Sequence, residues 1–397
     1  MNESTSLGYR PWLDGLRGIA ISTVFVHHLQ HFLYQDGPMF GRLLLPFGLL
    51  GVDIFFVLSG FLITTLLLEE HRKTGVISFK NFYIRRALRL LPALLFFLVS
   101  MTVFSRLFLP PSEADSMLRL SVIALLYCTN WAFAFGAASD WLGHLWSLAV
   151  EEQFYLIWPL VLSLLLRSRL SKRSLVFLTS AVTVIVCIHR TLLVSPDVIP
   201  MRIYAGSDTR ADSLLIGCAV AMLATWRMIP ATRTAQFVLR IAGALSVFVI
   251  TAYLANLFGI PGRSLYTIGF SVFAIAVGVV ILRVMLAPGK LYISLLERPT
   301  LVWIGKLSYS LYLWHFFAIG ITLWIPVPNA ARVFLSIPIA FGIAACSFYF
   351  IERPFLRLKS RYSGNLTPDA EPNASPQPAA SRTLSDMTFD SNLSSTV

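Results

Sequence analysis

The sequence predicts an all-α, polytopic membrane protein of about ten transmembrane helices plus one re-entrant or tilted segment, with both termini cytoplasmic. Three observations carry this prediction. Only 13% of the 397 residues are charged, against about 25% in soluble globular chains. Hydrophobic side chains make up 56% of the chain, and its mean hydropathy is +0.71. The apolar residues also gather in runs near the roughly 20-residue length that crosses a bilayer. So few charged groups cannot coat a folded protein of this size. A soluble enzyme, a disordered chain and a disulfide scaffold are excluded, and lipid is the solvent for most of the chain.

The first run, 16–34, contains Arg17, His27, His28 and His31. It lacks the clean apolar centre and small-residue cleavage site of a signal peptide, so it is a retained span. Apolar runs follow at 44–68, 87–109, 117–137, 144–166, 175–194, 210–228, 237–258, 264–286, 300–325 and 332–351, making eleven candidates. Loop charge decides how many cross, because Lys and Arg concentrate in cytoplasmic loops. Arg72, Lys73, Lys80, Arg85, Arg86 and Arg89 form one basic cluster, and Arg167, Arg169, Lys172 and Arg173 form the next. Three runs lie between them, and an odd number of crossings cannot return the chain to the same side. The run 117–137 carries Arg119, Asn130 and Trp131 and ends in a weak, Gly-containing stretch. It is therefore assigned to the non-crossing segment, which buried contact with protein would tolerate.

With ten crossings, the clusters at Arg227 and Arg233, at Lys290 and Arg298, and at Arg353, Arg357, Lys359 and Arg361 all fall inside. The loops with Asp36, with Glu113 and Asp115, and with Asp197 and Asp208 fall outside. The net charge of +12 is thus read as topology in an inner (cytoplasmic) membrane rather than as a nucleic-acid surface. Residues 1–359 form the membrane domain. Residues 360–397, rich in Ser, Pro, Asn and Thr, read as a disordered cytoplasmic tail. The four cysteines, Cys128, Cys187, Cys218 and Cys346, lie in apolar runs without paired spacing, and no metal site is expected.

Ionisable groups inside spans are costly and mark function by default. Arg17 and His28 are eleven residues apart, close to three helical turns, which puts them on one face about 16 Å apart along the axis. Alone, they read as a snorkelling arginine and a hydrogen-bonded core histidine. The run from His144 to Tyr155 adds Glu151 and Glu152, which by depth alone lie at the level of His28. A His–Glu pair is a usual way to orient an imidazole and hold it basic, and a structural lock between helices is the alternative. Adjacent carboxylates diverge by about 100° on a helix, so one of the two is expected to face the site. Arg86 and Arg89, at i, i+3, point to one side at the cytoplasmic surface. They suit a phosphate-bearing ligand or simple positive-inside anchoring.

Gly51, Phe55 and Ser59 form a small–aromatic–small stripe that reads as close helix packing, with Asp53 unusual in the outer half. Asp208, Arg210 and Asp212 precede a span at the outer surface and read as an ion-pair lock or an acceptor contact. Ser308, Tyr309 and His315 lie in the run 300–325, where either a structural or an acceptor role fits.

Asp14-Gly15-Leu16-Arg17-Gly18 with His28, the 51–61 run, the 85–92 run, the 144–159 run, the 208–217 run, the 305–315 run and Glu352-Arg353-Pro354 occur in this order. Together they resemble the acyltransferase-3 family of integral-membrane O-acyltransferases, over about residues 9–358. The family's arginine, ten residues, histidine signature falls on Arg17 and His28, and its arginine pair on Arg86 and Arg89. The resemblance implies transfer of an acyl group, usually acetyl, from cytoplasmic acyl-CoA, a donor substrate rather than a bound cofactor. The usual acceptor is a hydroxyl on a cell-envelope glycan or its lipid-linked precursor, such as O-antigen, exopolysaccharide or peptidoglycan. Some members carry an added extracytoplasmic hydrolase-like domain, and this chain is expected to be a stand-alone acyltransferase. Arg17, Arg86 and Arg89 would meet the phosphates of acyl-CoA, and His28 with Glu151 or Glu152 would serve either as general base or as a transient acyl carrier. An acyltransferase acting on a small secondary metabolite of macrolide type is the nearest alternative. A transporter of a lipid-linked sugar or anion is the alternative of a different class, separable by acetyl-CoA consumption.

Overall fold

The computed structural model describes residues 8–33, 45–137, 141–195, 200–255, 257 and 262–359. The loops holding Asp36 and Asp197 and the segment 360–397 lie outside the described residues. The described residues contain helices and turns but no strand. In chain order the helices are α1 (Pro11–Leu33), α2 (Leu45–Thr74), α3 (Phe79–Phe108), α4 (Pro111–Leu125), α5 (Thr129–Ala134), α6 (Trp146–Arg167), α7 (Lys172–Leu193), α8 (Pro200–Ala205), α9 (Ser207–Thr225), α10 (Arg233–Leu254), α11 (Phe270–Leu286), α12 (Lys290–Leu296), α13 (Pro299–Thr322), α14 (Asn329–Ser347) and α15 (Arg353–Lys359). A 3₁₀ turn, Gly143–Leu145, opens α6, and π-helical turns, Leu265–Gly269 and Phe348–Glu352, precede α11 and α15. Among the described residues, seven helical segments are long and apolar enough to cross a membrane.

Hydrophobicity builds the helices, and local chemistry sets their ends. Ser78, Ser171 and Thr232 accept from the backbone N–H groups of Asn81, Ser174 and Ala235, satisfying donors that the first turn leaves free. The caps at Ser78 and Ser171 follow basic residues that close the preceding helix. Pro299 opens α13 at a position where its fixed φ suits a first turn. The first helix starts at Pro11 rather than at residue 16, so Asp14 and Arg17 lie in its opening turns. A polar start followed by proline is invisible to a hydropathy window. For the same reason Asp208, Arg210 and Asp212 are inside α9 rather than ahead of it.

The run 117–137 does not form one continuous helix. It breaks between α4 and α5 at Tyr127, whose φ is +53°, a left-handed value that side-chain residues rarely adopt. Gln153 of α6 donates to the Tyr127 carbonyl (2.7 Å) and to the Asn130 side chain (2.9 Å), and so holds the break in place.

Helices α1, α2, α9, α11 and α13 form the interior. Helices α7, α10 and α14 present Phe177, Ile185, Leu192, Phe237, Phe248 and Phe334 outward, as lipid-facing helices do. Helix α1 is wedged between α2 and α13, and α2 lies against α9. Three glycine contacts set these spacings. Gly60 abuts the Leu214 backbone while Gly217 abuts the Val57 backbone, and Gly305 abuts the backbone of Asp14. Small residues there let the helix backbones approach closely enough to pack without a hydrophobic driving force. This arrangement brings the Arg17–His28 face of α1 against α13.

Candidate active site

A cavity of about 450 Å³ opens among α1, α2, α3, α6 and α13. Its lining includes Arg17 from α1, Phe55 and Ser59 from α2, Arg86 and Arg89 from α3, Ser147 and Glu151 from α6, and Ser308, Tyr309 and Tyr312 from α13. Arg10, Lys73 and Arg85 add positive charge at its rim. There Tyr9 donates its hydroxyl to Asp14 (3.0 Å), and partial burial together with the Asp14 carboxylate raises its pKa above the ordinary phenol value.

The predicted arginines are gathered but are not equivalent. Arg17 lies 3.7 Å from Asp14. Arg86 is bound to Glu152 at 2.6 Å and lies 3.8 Å over the Tyr155 ring. Arg85 pairs with Glu70 at 3.2 Å. Arg89 forms no ion pair among the described residues, although it lies in the field of Arg17, Arg86 and Glu352. Glu352, set by the π turn, accepts from the Ser310 hydroxyl at 3.0 Å. Ser308, whose buried hydroxyl has no hydrogen-bond partner among the described residues, lines the same region, and Tyr309 donates to the Leu90 carbonyl (2.9 Å).

His28 does not pair with a glutamate. Its Nδ1 lies 3.1 Å from Nε2 of His315, while Glu152 is held by Arg86 and Glu151 accepts from Tyr155 at 3.4 Å. The physical reason is the depth of α6. Gly143, His144, Leu145 and Trp146 are buried, so the helix begins inside the bundle. Counting residues from an outer surface therefore places its carboxylates too shallow. They lie instead on the arginine side of the bundle.

A second centre stands beyond the inner wall of the cavity. His315 lies close to both His28 and His144, with ring centroids 5.0 Å and 5.1 Å away respectively. Phe316 packs on His28 at 4.6 Å and on His144 at 4.3 Å. Tyr312 separates this centre from the cavity, which it lines. Its hydroxyl bonds Ser147 Oγ (2.7 Å) and the His144 carbonyl, and its own carbonyl accepts from His315 Nδ1 at 2.7 Å. Sequence reading assigned no role to His144, Ser147 or Tyr312. The available signal was that His144 opens the same run as the glutamates. Among the described residues no three His, Cys, Asp or Glu side chains are placed to share a metal ion.

The remaining polar residues form locks. Arg210 donates to both oxygens of Asp53 at 2.8 Å, and Ser213 adds a bond of 2.7 Å. Arg190 bonds Asp212 at 2.8 Å and Ser271 at 2.6 Å. Asp208 is clamped by Arg202 and His189. Gly51 lies against Ala20 and Thr23 of α1, which is the close packing its stripe predicts, whereas Phe55 and Ser59 of that stripe line the cavity.

A family model described as "Acyltransferase domain" matches residues 10–351. The chain is 35% identical over 359 residues to the peptidoglycan O-acetyltransferase OatA of Listeria monocytogenes, covering 87% of this chain and 56% of that protein. It is 34% identical over 366 residues to the O-acetyltransferase OatA of Staphylococcus aureus, covering 87% and 57% respectively. The chain thus spans a little over half the length of these curated relatives. No solved structure matches it. With a family model over nearly its whole helical length and relatives at this identity, the chain belongs to the acyltransferase-3 family of membrane acyltransferases.

Proposed function

We propose that this protein moves an acetyl group from cytoplasmic acetyl-CoA to a hydroxyl of a cell-envelope glycan, with peptidoglycan or its lipid-linked precursor as the acceptor. The observation that carries this reading is the arrangement of two centres back to back. An arginine-lined cavity of about 450 Å³ ends at Tyr312, and the His28–His315 pair lies on the other side of that residue. Guanidinium groups favour the phosphates of a CoA thioester. The named substrate of the Listeria relative supports the choice of peptidoglycan.

In the proposed reaction, His28 removes the proton of the acceptor hydroxyl as the oxygen attacks the thioester carbonyl. The C–S bond breaks as the new C–O bond forms, and CoA leaves as a thiol once it takes up a proton. Arg17 and Arg89 hold the donor, while Arg86, bound to Glu152, keeps the arginine side in register. Ten crossings, cytoplasmic termini and an inner-membrane location belong to the same proposal, supported by the basic residues clustered around the cavity rim.

The test is transfer of label from radioactive acetyl-CoA to a peptidoglycan-derived oligosaccharide by the purified protein in nanodiscs. Wild type is expected to label the acceptor, with His28→Ala reduced by about 10²-fold or more, as for loss of a general base. Full transfer by His28→Ala, or acceptor movement without acetyl-CoA consumption, would overturn the reading. The second outcome would point to a transporter.

A further inference from the structure

His315 is fully buried on α13, and its two ring nitrogens have different partners. Nδ1 lies 2.7 Å from the Tyr312 carbonyl oxygen. A carbonyl can only accept, so Nδ1 carries the proton. The neutral ring then has its lone pair on Nε2, which lies 3.1 Å from Nδ1 of His28. That contact needs one proton, and His28 must supply it. His28 is therefore protonated on Nδ1 and has its lone pair on Nε2, on the imidazole of the two that is partly exposed.

We infer that His315 is a positioning residue: it reads the Tyr312 carbonyl and passes that polarity on, fixing His28 in the tautomer whose Nε2 acts as the base. This deepens the proposed function and rests on His28 being the base. The role usually filled by a carboxylate behind a catalytic imidazole falls here to a second neutral imidazole. When Nε2 of His28 takes a proton, the ring becomes an imidazolium, and its Nδ1–H bond to the neutral His315 ring holds it in place. His144 follows the same logic, because its Nε2 lies 3.2 Å from the Leu313 carbonyl. Adjacent carbonyls of one helix thus set both rings.

The inference is tested by comparing His315→Leu with His315→Gln in acetyl transfer. A glutamine amide can donate to the Tyr312 carbonyl and accept from His28 Nδ1–H, so it preserves the relay of polarity, whereas leucine abolishes it. The expected result is that His315→Leu loses kcat by about 10²–10⁴-fold, with KM for acetyl-CoA within about twofold. His315→Gln is expected to regain at least tenfold of that loss. Equal kcat for the two variants would overturn the inference.

A second measurement needs no variant at position 315. Nitrogen-15 NMR of histidine-labelled protein, with His28 assigned by its disappearance in His28→Ala, is expected to show an unprotonated Nε2. An unprotonated Nδ1 would overturn the inference. Full activity of His28→Ala would instead remove the proposed function itself, so the two failures are distinguishable.

Discussion

Arg86 and Arg89 lie on one side of α3 and differ in what already neutralises them. Arg86 is bound to Glu152 and covered by Tyr155, with its side chain 19% and that of Glu152 13% exposed. Arg89 lines the cavity without an ion pair among the described residues, so its charge remains available to an anionic donor. Arg89→Ala is expected to raise KM for acetyl-CoA about ten- to hundredfold, as for loss of one charge-assisted bond of about 1.5–3 kcal/mol, and to leave the melting temperature unchanged. Arg86→Ala is expected to lower the melting temperature instead, because it strands a mostly buried carboxylate at a cost that reaches about 3–5 kcal/mol for full burial. Kinetics and thermal unfolding of both variants in detergent check this, and the reverse pattern would reassign the donor contact to Arg86. The sequence shows Arg86 and Arg89 as an equivalent pair, since spacing reports which side of α3 they share but not what α6 places opposite them. The partner of His28 was hidden for the same reason. His315 is 287 residues away, whereas Glu151 and Glu152 drew attention because they are charged.

Helix α9 owes its place to a combination of very small residues and fully buried charges. Gly217 admits the α2 backbone, and about two helical turns earlier Arg210 reaches Asp53 with neither side chain exposed. Arg210 also stacks 3.8 Å over Phe270 of α11, so one side chain ties three interior helices together. Breaking a buried pair from one side leaves an uncompensated charge, whereas replacing both partners by apolar groups is often neutral. Asp53→Leu alone is therefore expected to cost about 3–5 kcal/mol, read as a large fall in melting temperature. The double variant Asp53→Leu/Arg210→Met is expected to recover most of that loss, with methionine retaining the contact on Phe270. A double variant as unstable as Asp53→Leu would mean that the ion pair itself, rather than its desolvation, holds the helices. At this scale hydropathy located the helices well, because burial in lipid or protein demands the same apolar runs. It misplaced their polar ends, as at Pro11 and Ser207, and left the break at Tyr127 to be explained by the Gln153 bonds from a distant helix.

For the molecule as a whole, direction in the membrane follows from where charge collects relative to the cavity. Arg72 and Lys73 close α2, and Lys80, Arg85, Arg86 and Arg89 open α3. Lys73, Arg85, Arg86 and Arg89 also line the cavity. Helix α3 has 30 residues, about 45 Å at 1.5 Å per residue, so both its ends project beyond a hydrocarbon core of about 30 Å. Lys80 is exposed near one end, and Glu113 is exposed just past the other. Because basic loops are retained in the cytoplasm, the cavity is expected to open inward, where acetyl-CoA is made. The check uses single cysteines at Lys80→Cys and Glu113→Cys, with Cys128, Cys187, Cys218 and Cys346 replaced. A membrane-impermeant maleimide added to intact cells or spheroplasts is expected to label Glu113→Cys, and to label Lys80→Cys only after lysis. The opposite pattern would turn the arginine cavity outward, away from any cytoplasmic CoA thioester. The donor reading of the arginine cavity would then fail, while the histidine pair beyond Tyr312 would remain to be explained by chemistry entering from the other face.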